Sequence, residues 1–387
     1  MFAILIIFLT AAFYTWIIYP VVVIFISRIL RPRECKLFSD DDLPSVAVII
    51  SAYNEETHIC GRICNILEST FPSDKITVLV GIDGSSDKTA EAVQKTFGND
   101  KRIRVVNFPE RRGKSAVLKD LVAMVDEEIL VFTDANTVFD KDAIRRLIMP
   151  LKDSTVGCVC GRLVFLKTEK QTASENVYWN FETTIKKAES KLDSCLGANG
   201  AIYAMKKDFF WKELPSNTIV EDFVIGMKVR EAGKKVVFEP LAVAYEELPE
   251  HLWEWGRRIR IGTGDFQSLQ LCGRCLLPHY GMFAWMFLSH KVIRWVVPLL
   301  GVLTVIGAVV DVIWDMVKGG MVDQVSLWVL LIVGVVFLAI ALVGRSGRGV
   351  WGVFRHFVLM QVAIVVGFLR YLRGGLKGYW ERTPRRT

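Results

Sequence analysis

The chain has 387 residues, of which 52% are hydrophobic, and it carries a formal net charge of +7. This length allows one substantial soluble domain together with membrane segments. The positive charges lie beside apolar runs and not in a module that alternates basic and aromatic residues, so nucleic acid is not an expected partner.

Four apolar runs are candidate membrane helices. They are residues 2–26, Val292–Val310, Val325–Val343 and Val350–Leu369. A membrane-spanning helix needs about 20 mostly apolar residues, and the last run is the weakest candidate because it contains Arg355 and His356. The first run lacks the basic start and the cleavage site of a signal peptide. We therefore expect an integral protein of the plasma or inner membrane, in contact with membrane lipids.

The basic residues after the first run place the chain from residue 28 onward in the cytoplasm by the positive-inside rule. One crossing before the soluble region and three after it would leave the basic tail outside, against the same rule. Either one carboxy-terminal segment lies in the interface or re-enters, or the tail is an exception.

Between the first two apolar runs, short β-branched stretches alternate with stretches of helical spacing. Strands are predicted at Val46–Ile50, Ile76–Ile82, Ile103–Val106 and Ile129–Thr133. Helices are predicted at Glu55–Ser69, from a cap at Asp87 to Phe97, at Lys114–Val125, and from Asp140 or Lys141 onward. This alternation predicts an α/β fold with a mainly parallel sheet and helices on both faces.

The pattern changes from about residue 150. Extended segments are predicted at Val156–Phe165, Ala201–Met205, Val236–Glu239 and Leu241–Tyr245, and helices at Ser174–Leu192, Asp222–Glu231 and Leu252–Leu271. The predicted organisation is a transmembrane helix (1–27), a basic linker (28–43), the α/β domain (44–250), interfacial amphipathic helices (251–290), a membrane region of about three apolar segments (291–370) and a basic tail (371–387).

Acidic residues stand where predicted strands end. Asp83 and Asp134 each follow a short apolar run, and Glu221 and Asp222 precede a predicted helix. In an open α/β sheet ligands bind at the carboxyl ends of the strands, so carboxylates there face a substrate. Several of them in series, between membrane segments, indicate a membrane-anchored enzyme that acts on a nucleotide-bound substrate.

Six motifs occur in a fixed order. They are Val46–Glu56, Asp83–Asp87, Thr133–Asn136, Gly197–Tyr203, Val220–Asp222 and Arg257–Arg260. Together they resemble the family 2 inverting glycosyltransferases, and most of all the membrane-embedded branch with hyaluronan, chitin-oligosaccharide and poly-N-acetylglucosamine synthases. The resemblance spans roughly residues 44 to 300. It implies a GT-A fold, a nucleotide-diphosphate sugar donor and a divalent cation, Mg²⁺ or Mn²⁺. With the positive-inside rule, the leading hypothesis is a catalytic domain that takes a UDP-sugar in the cytoplasm.

The resemblance implies that Tyr53, Glu55 and Asp83 recognise the nucleotide. Tyr53 would stack on the base, while Glu55 and Asp83 would accept hydrogen bonds from the base or ribose. Lys114, at a predicted helix start, is expected to meet phosphate with the help of backbone amides. The alternatives are a half-buried loop aromatic for Tyr53, a turn residue for Asp83 and a solvated basic turn around Lys114.

Asp134 and Asn136 occupy the position of the family's Asp-x-Asp metal motif. A hard cation prefers oxygen ligands and neutralises the leaving diphosphate. Asn136 keeps a carbonyl oxygen but lacks the negative charge of the second Asp. Metal binding is therefore expected to depend mainly on Asp134 and the diphosphate, unless Asn136 is only a turn residue or helix cap.

Asp222 matches the last acid of the family's Thr-Glu-Asp motif, with Val220 in place of Thr. An inverting displacement needs one base to take the proton of the acceptor hydroxyl, and Asp222 is the predicted base. The resemblance places Glu221 and the loop residues Gly197, Ala198, Asn199 and Gly200 beside the acceptor. The alternative is that Glu221 and Asp222 only cap the following helix.

Arg257 and Arg260 fall on the Gln and Arg of the family's Gln-x-x-Arg-Trp element, and Ile261 replaces the Trp. Arginine suits a diphosphate, although a basic helix lying on anionic lipid is an alternative. Loss of the Trp puts polymer synthesis in doubt. Three functions therefore stay open: sugar transfer to a growing polysaccharide or oligosaccharide, transfer of a single sugar to a lipid, and an inactive transferase-like membrane scaffold.

Overall fold

The structure is a computed structural model that describes residues 1–31, 42–166, 173–247, 251–342, 350–374 and 378. Its strands are β1 (Val46–Ala52), β2 (Ile76–Asp83), β3 (Ile103–Phe108), β4 (Ile129–Asp134), β5 (Val138–Phe139), β6 (Val156–Leu166), β7 (Ile202–Lys206) and β8 (Lys235–Glu247). Most of the basic linker (residues 32–41) and of the basic tail lies outside the described residues.

Two helices precede the strands, others alternate with the strands, and the last ones follow them. They are α1 (Phe2–Phe13), α2 (Tyr19–Ile29), α3 (Ile59–Leu67), α4 (Thr89–Phe97), α5 (Lys114–Ala123), α6 (Ala143–Ile148), α7 (Ala173–Leu192), α8 (Glu221–Glu231), α9 (His251–Cys272), α10 (Met282–Phe287), α11 (Ile293–Lys318), α12 (Gln324–Leu342) and α13 (Val350–Leu372).

One sheet carries the described strands in the order β3-β2-β1-β4-β7-β6-β8-β5. β3, β2, β1 and β4 are mutually parallel, β7 is antiparallel to β4 and β6, and β6 is parallel to β8. Because β2 and β4 flank β1 in parallel, their carboxyl ends meet at one edge of the sheet. Asp83 and Asp134 are the last residues of these two strands, so the topology brings them to the same edge.

The sheet separates two apolar cores, which explains why its central strand β1 is almost entirely apolar. Along β1, Ala47 and Ile49 pack into the core on one face, and Val46, Val48 and Ile50 pack into the core on the other. A fully buried aliphatic side chain stabilises the fold by about 1.5–3 kcal/mol, so the buried strands outweigh local preferences. The prediction of a mainly parallel α/β sheet with helices on both faces is confirmed.

The structure differs from the predicted elements at two places. α3 begins at Ile59 and not at Glu55, because Glu55 lies in a turn whose carbonyl accepts the His58 and Ile59 N–H groups. The two extended segments predicted around Pro240 form one strand, β8, with a shift in its pairing to β6 between Gly161 and Arg162. Proline has no N–H for the ladder, so the irregularity falls where Pro240 stands.

Within the part of the chain that the structure describes, three helical segments are long and apolar enough to cross a membrane: Phe2–Ile29, Met282–Lys318 and Gly352–Leu372. The last of these includes most of the run that the sequence marked as the weakest candidate. α12 covers almost all of the remaining run, Val325–Val343.

The first two of these segments each contain a π-helical turn, at Tyr14–Ile18 and Leu288–Val292. A π-helical turn frees a backbone carbonyl from its usual partner, and an apolar surrounding requires a replacement. Thr15 supplies it, because its hydroxyl donates to the Ser289 carbonyl at 2.6 Å. The Tyr14 hydroxyl also lies 2.8 Å from Ser289 Oγ. Hydrogen bonds between the two π-helical turns therefore hold the segments Phe2–Ile29 and Met282–Lys318 together.

A buried ionic network joins these helices to α7 of the α/β domain. Glu182 Oε1 accepts from Arg294 Nη1 at 2.5 Å, and Glu182 Oε2 lies 3.0 Å from His290 Nε2. His290 Nδ1 lies 2.6 Å from Glu189, which also accepts the Tyr19 hydroxyl. Burial opposes the charge on Glu182, but Arg294 and then His290 hold the pKa of its carboxyl well below the usual value. The network thus fixes the domain against the two candidate membrane segments Phe2–Ile29 and Met282–Lys318.

Glu182→Ala is expected to reduce the free energy of unfolding by about 3–5 kcal/mol, because it leaves Arg294 and His290 buried without their shared carboxylate. Thermal unfolding of the full chain in detergent measures this as a lower unfolding temperature. Glu213→Ala, which removes an exposed carboxylate of the same domain, is the control and should unfold like the wild type. Equal unfolding temperatures for the two variants would contradict the role given to the network.

Candidate active site

Lys114 links two of the acidic motifs. Its ammonium nitrogen lies 2.7 Å from Asp134 Oδ1 and 2.8 Å from Glu221 Oε1. Lys114 is the first residue of α5, whereas Asp134 ends β4 and Glu221 begins α8. Burial opposes the charge on Lys114, but Asp134 and Glu221 together raise its pKa above the usual value. The lysine expected to meet phosphate is therefore held by carboxylates.

Asp222 also lies near this lysine, and its position is fixed by the loop Gly197–Gly200. The Gly200 N–H donates to Asp222 Oδ2 at 2.5 Å, and the Ala198 N–H donates to the Asp222 carbonyl at 3.3 Å. Gly197 has a φ of +75° and packs against Phe223, so its conformation favours glycine. Asn199 Oδ1 accepts the Ala201 N–H at 3.3 Å and closes the turn.

Glu221 is buried at the centre of these charges. Burial raises the pKa of its carboxyl above the usual value, Lys114 opposes that shift, and the neighbouring Asp222 adds to it. Glu221 and Asp222 do begin α8, as the capping alternative requires, but no side-chain cap is formed there. Their side chains are engaged by Lys114 and by Gly200 instead.

Asp83 organises the loop that leads to Lys114. Its Oδ1 accepts the Arg112 N–H at 2.6 Å, and its Oδ2 accepts the Gly113 N–H at 2.9 Å. Gly84, with a φ of +62°, permits this close approach, because a Cβ there would lie 2.5 Å from the Arg111 nitrogen. Both carboxylate oxygens of Asp83 are thus occupied by backbone, which sequence reasoning did not anticipate.

Tyr53 and Glu55 lie on the loop that follows β1. The Arg111 guanidinium stacks over the Tyr53 ring, with its carbon 3.6 Å from the ring centroid. Asn54, between them in a left-handed conformation, bonds Ser85 and Ser86 of the next loop. Glu55 Oε2 lies 3.1 Å from His58 Nδ1. The three predicted nucleotide residues, Tyr53, Glu55 and Asp83, therefore lie on two connected loops.

Asp134 contacts Lys114, and Asn136 follows it two residues later in the loop after β4. Asn136 Nδ2 donates to Glu246 Oε1 of β8 at 3.0 Å. A hard divalent cation fits this donor set, because Asp134 offers a carboxylate that already accepts a cationic group and Asn136 offers an amide oxygen. Among the described residues no three acidic, histidine or cysteine side chains could hold a metal by themselves, so phosphate oxygens would complete the shell.

Arg260 of α9 interacts electrostatically with the same carboxylates, and Arg257 lies near Arg260. Burial lowers the pKa of Arg260 below its usual value, Glu221 opposes this shift, and Arg257 adds to it. Arg260 Nη1 reaches the Ile219 carbonyl at 3.5 Å, just before Glu221. Gly264 of α9 also packs against Ile219, since a Cβ there would lie 3.0 Å from that side chain. The helix therefore supports the segment that carries Glu221 and Asp222.

Two residues of the site had no functional prediction. The sequence pattern indicates only a basic turn for Arg111, yet its guanidinium covers the Tyr53 ring. Glu246 follows a predicted strand directly, which is the same signal that marks Asp83 and Asp134. The missing information was that β8, distant in sequence, ends beside β5 and the Asp134 loop, where Tyr245 pairs with Val138.

The sequence model of "Glycosyl transferase family 2" matches residues 47–214, which include Tyr53, Asp83, Lys114 and Asp134. Residues 47–214 form a family 2 glycosyltransferase domain. The match confirms the predicted family for residues 47–214. Glu221, Asp222 and the arginines of α9 lie beyond the matched range, although Glu221 contacts Lys114 inside it.

Relatives and solved structures agree with this assignment. The chain is 26% identical over 238 residues, 59% of its length, to "Poly-beta-1,6-N-acetyl-D-glucosamine synthase" of Staphylococcus aureus (strain COL). It is 26% identical over 240 residues, 58% of its length, to "Probable glycosyltransferase YdaM" of Bacillus subtilis (strain 168). Each alignment covers 56% of the relative's own length.

The fold matches the structure of "Mannosyltransferase PcManGT from Pyrobaculum calidifontis in complex with GDP-Man and Mn2+". The TM-score is 0.70 at 22% identity, and the match covers 96% of this chain and 98% of that one. The similarity thus includes the helices that flank the glycosyltransferase domain, and the predicted GT-A fold is confirmed.

Gly200→Ala is expected to reduce sugar transfer without unfolding the glycosyltransferase domain. A Cβ at Gly200 would lie 3.1 Å from Asp222 Oδ2 and 3.4 Å from Lys114 Nζ, so both side chains must shift slightly. A misplacement of about 1 Å can cost 100-fold in rate, so a smaller shift should cost roughly tenfold. Nucleotide release from a sugar nucleotide measures the effect.

Gly61→Ala is the matched control, because a Cβ at that helical glycine would meet nothing within 4 Å. It should retain wild-type release of nucleotide. Full activity in Gly200→Ala would show that the loop does not set the position of Asp222.

Proposed function

We propose that the protein is a membrane-bound inverting glycosyltransferase that transfers a sugar from a UDP-sugar to a growing polysaccharide or oligosaccharide. The observation that carries the proposal is the contact of Lys114 with both Asp134 and Glu221. This contact joins Asp134, on the proposed donor side, to Glu221, on the proposed acceptor side. We therefore propose that the loops that carry Tyr53, Asp83, Asp134 and Asp222 bind the sugar nucleotide and the acceptor together.

On the donor side, Tyr53 and Arg111 are proposed to hold the base. The Arg111 guanidinium already stacks 3.6 Å from the centroid of the Tyr53 ring. A base can replace the guanidinium on that ring, or enter between the two groups once they move apart. Glu55 lies on the same loop as Tyr53 and is proposed to bind the base or ribose. Asp83 is proposed to act on the nucleotide mainly by fixing the Arg112–Gly113 backbone, whose N–H groups it accepts.

The diphosphate is proposed to bind next to Asp134. Lys114 and Arg260 supply positive charge there, with Arg257 close to Arg260. Asp134 and the Asn136 oxygen would hold Mg²⁺ or Mn²⁺. When bound, the metal neutralises charge that develops on the leaving diphosphate.

On the acceptor side, Asp222 is proposed to be the general base. Its Oδ2 accepts the Gly200 N–H, whereas its Oδ1 accepts no hydrogen bond from another described residue. Glu221 is less suited, because its carboxylate is engaged by Lys114. Asp222 takes the hydroxyl proton, the acceptor oxygen bonds to the anomeric carbon, and the bond to the diphosphate oxygen breaks with its electron pair.

Single-sugar transfer to a lipid acceptor is the second candidate. It is favoured by Ile261, which stands where the Trp of the processive family members lines the acceptor site. The catalytic residues would act in the same way, and only the acceptor and the product length would differ.

Release of nucleoside diphosphate tests the proposal. Purified full-length protein is incubated in lipid with Mg²⁺ or Mn²⁺ and with UDP-glucose, UDP-N-acetylglucosamine, UDP-galactose or GDP-mannose. Mass analysis of the products then reports the donor, the product length and any lipid attachment. Release from a UDP-sugar with a chain of added sugars supports the proposal, and one sugar on a lipid supports the second candidate. No release from any donor, with acceptor present, would favour an inactive scaffold.

Asp222→Asn is expected to abolish transfer and leave donor binding nearly unchanged. The amide keeps the size of the side chain, but it cannot take a proton from the acceptor hydroxyl. Single-turnover transfer and donor affinity, measured on the same protein, separate the two effects. Retained turnover in Asp222→Asn would assign the base to another residue, and Glu221→Gln is the variant to compare.

A further inference from the structure

We infer that Glu246 is a positioning residue of the metal site, which orients Asn136 and supplies the second negative charge that the Asp-x-Asp motif lacks here. The inference rests on the proposed function, because it assumes that a divalent cation binds beside Asp134. It concerns a residue of β8, about 110 positions away in the chain, that the motif itself does not contain.

The fold brings Glu246 to the Asp134 loop by strand pairing. β5 follows that loop directly, and Val138 of β5 pairs with Tyr245 of β8, the residue before Glu246. Glu246 is only 7% exposed, so its carboxylate is held against the domain and does not extend into solvent. Its Oε1 accepts the hydrogen bond from Asn136 Nδ2 at 3.0 Å.

This hydrogen bond decides which end of the Asn136 amide faces the site. An asparagine can present either oxygen or nitrogen, and only its hydrogen-bond partners fix the choice. A carboxylate accepts and does not donate, so Glu246 must bind the NH₂ group. The Asn136 oxygen is then the end that remains for a cation. Partners of this kind, one step removed from the metal, typically change metal affinity 10- to 100-fold.

The same geometry explains why position 136 is Asn. An Asp there would place a second carboxylate about 3 Å from Glu246, and like charges that close oppose each other strongly. With Asn136, the loop keeps two carboxylates near the cation, Asp134 directly and Glu246 through the amide. The charge that the usual motif carries within three residues is thus divided between β4 and β8.

Exchanging the two groups tests the inference. Full-length protein in detergent is titrated with Mn²⁺ in the presence of UDP, and free Mn²⁺ is followed by electron paramagnetic resonance. Glu246→Gln should weaken Mn²⁺ binding about tenfold. The double variant Asn136→Asp/Glu246→Gln should recover most of the affinity, because the amide and the carboxylate have changed places and the hydrogen bond can form again.

Controls separate this inference from the function on which it rests. Glu247→Gln removes the exposed neighbouring carboxylate and should bind Mn²⁺ like the wild type. Asp134→Ala should lose most binding. If wild-type protein with UDP binds no Mn²⁺, the metal-dependent function itself fails. If the wild type binds and Glu246→Gln binds equally well, or the double variant does not recover, only the inference about Glu246 is overturned.

Unfolding without metal gives a second readout. Asn136→Asp alone opposes two carboxylates and should lower the unfolding temperature, and adding Glu246→Gln should restore it. An additive effect of the two substitutions would show that the side chains do not interact, and would also overturn the inference.

Discussion

The ion bridge through Lys114 holds the candidate site together. Without a cation between them, Asp134 and Glu221 would be two partly buried carboxylates in close proximity, which is electrostatically unfavourable. Lys114 lies within 2.8 Å of both. Its position is set in turn by Asp83, which accepts the N–H of the preceding Gly113. Four segments that are remote in sequence thus reach one place through a continuous series of charged contacts.

The same series of contacts extends to the membrane helices. α13 crosses α9 closely, since a Cβ at Gly367 would lie 2.7 Å from the Gly262 backbone, and α9 packs on Ile219 beside Glu221. The backbone of Gly378, beyond α13, also reaches Gly113. The ionic network of Glu182, His290 and Arg294 fixes α7 to a second membrane segment. The candidate site is therefore connected by packing to helices that are long and apolar enough to cross a membrane.

Local sequence pattern was enough to predict the α/β alternation and the acids at the strand ends, because a buried strand and its carboxyl end can be recognised from a short run of residues. It failed where distant segments meet. Glu55 was expected to lie in a helix but forms a turn, and Asp83 was expected to face a nucleotide but also binds backbone. Glu246 was missed because its partner Asn136 is reached only through the antiparallel pairing of β5 with β8.

The central claim is that donor-side and acceptor-side groups form one site through Lys114. The most direct measurement compares Lys114→Met with Lys119→Met, which removes a lysine elsewhere on the same helix. Donor affinity and single-turnover transfer are measured for both in full-length protein. The account predicts that Lys114→Met loses about 10- to 100-fold in both quantities, as expected for hydrogen bonds to charged groups, while Lys119→Met resembles the wild type. Wild-type donor affinity and transfer in Lys114→Met would contradict it.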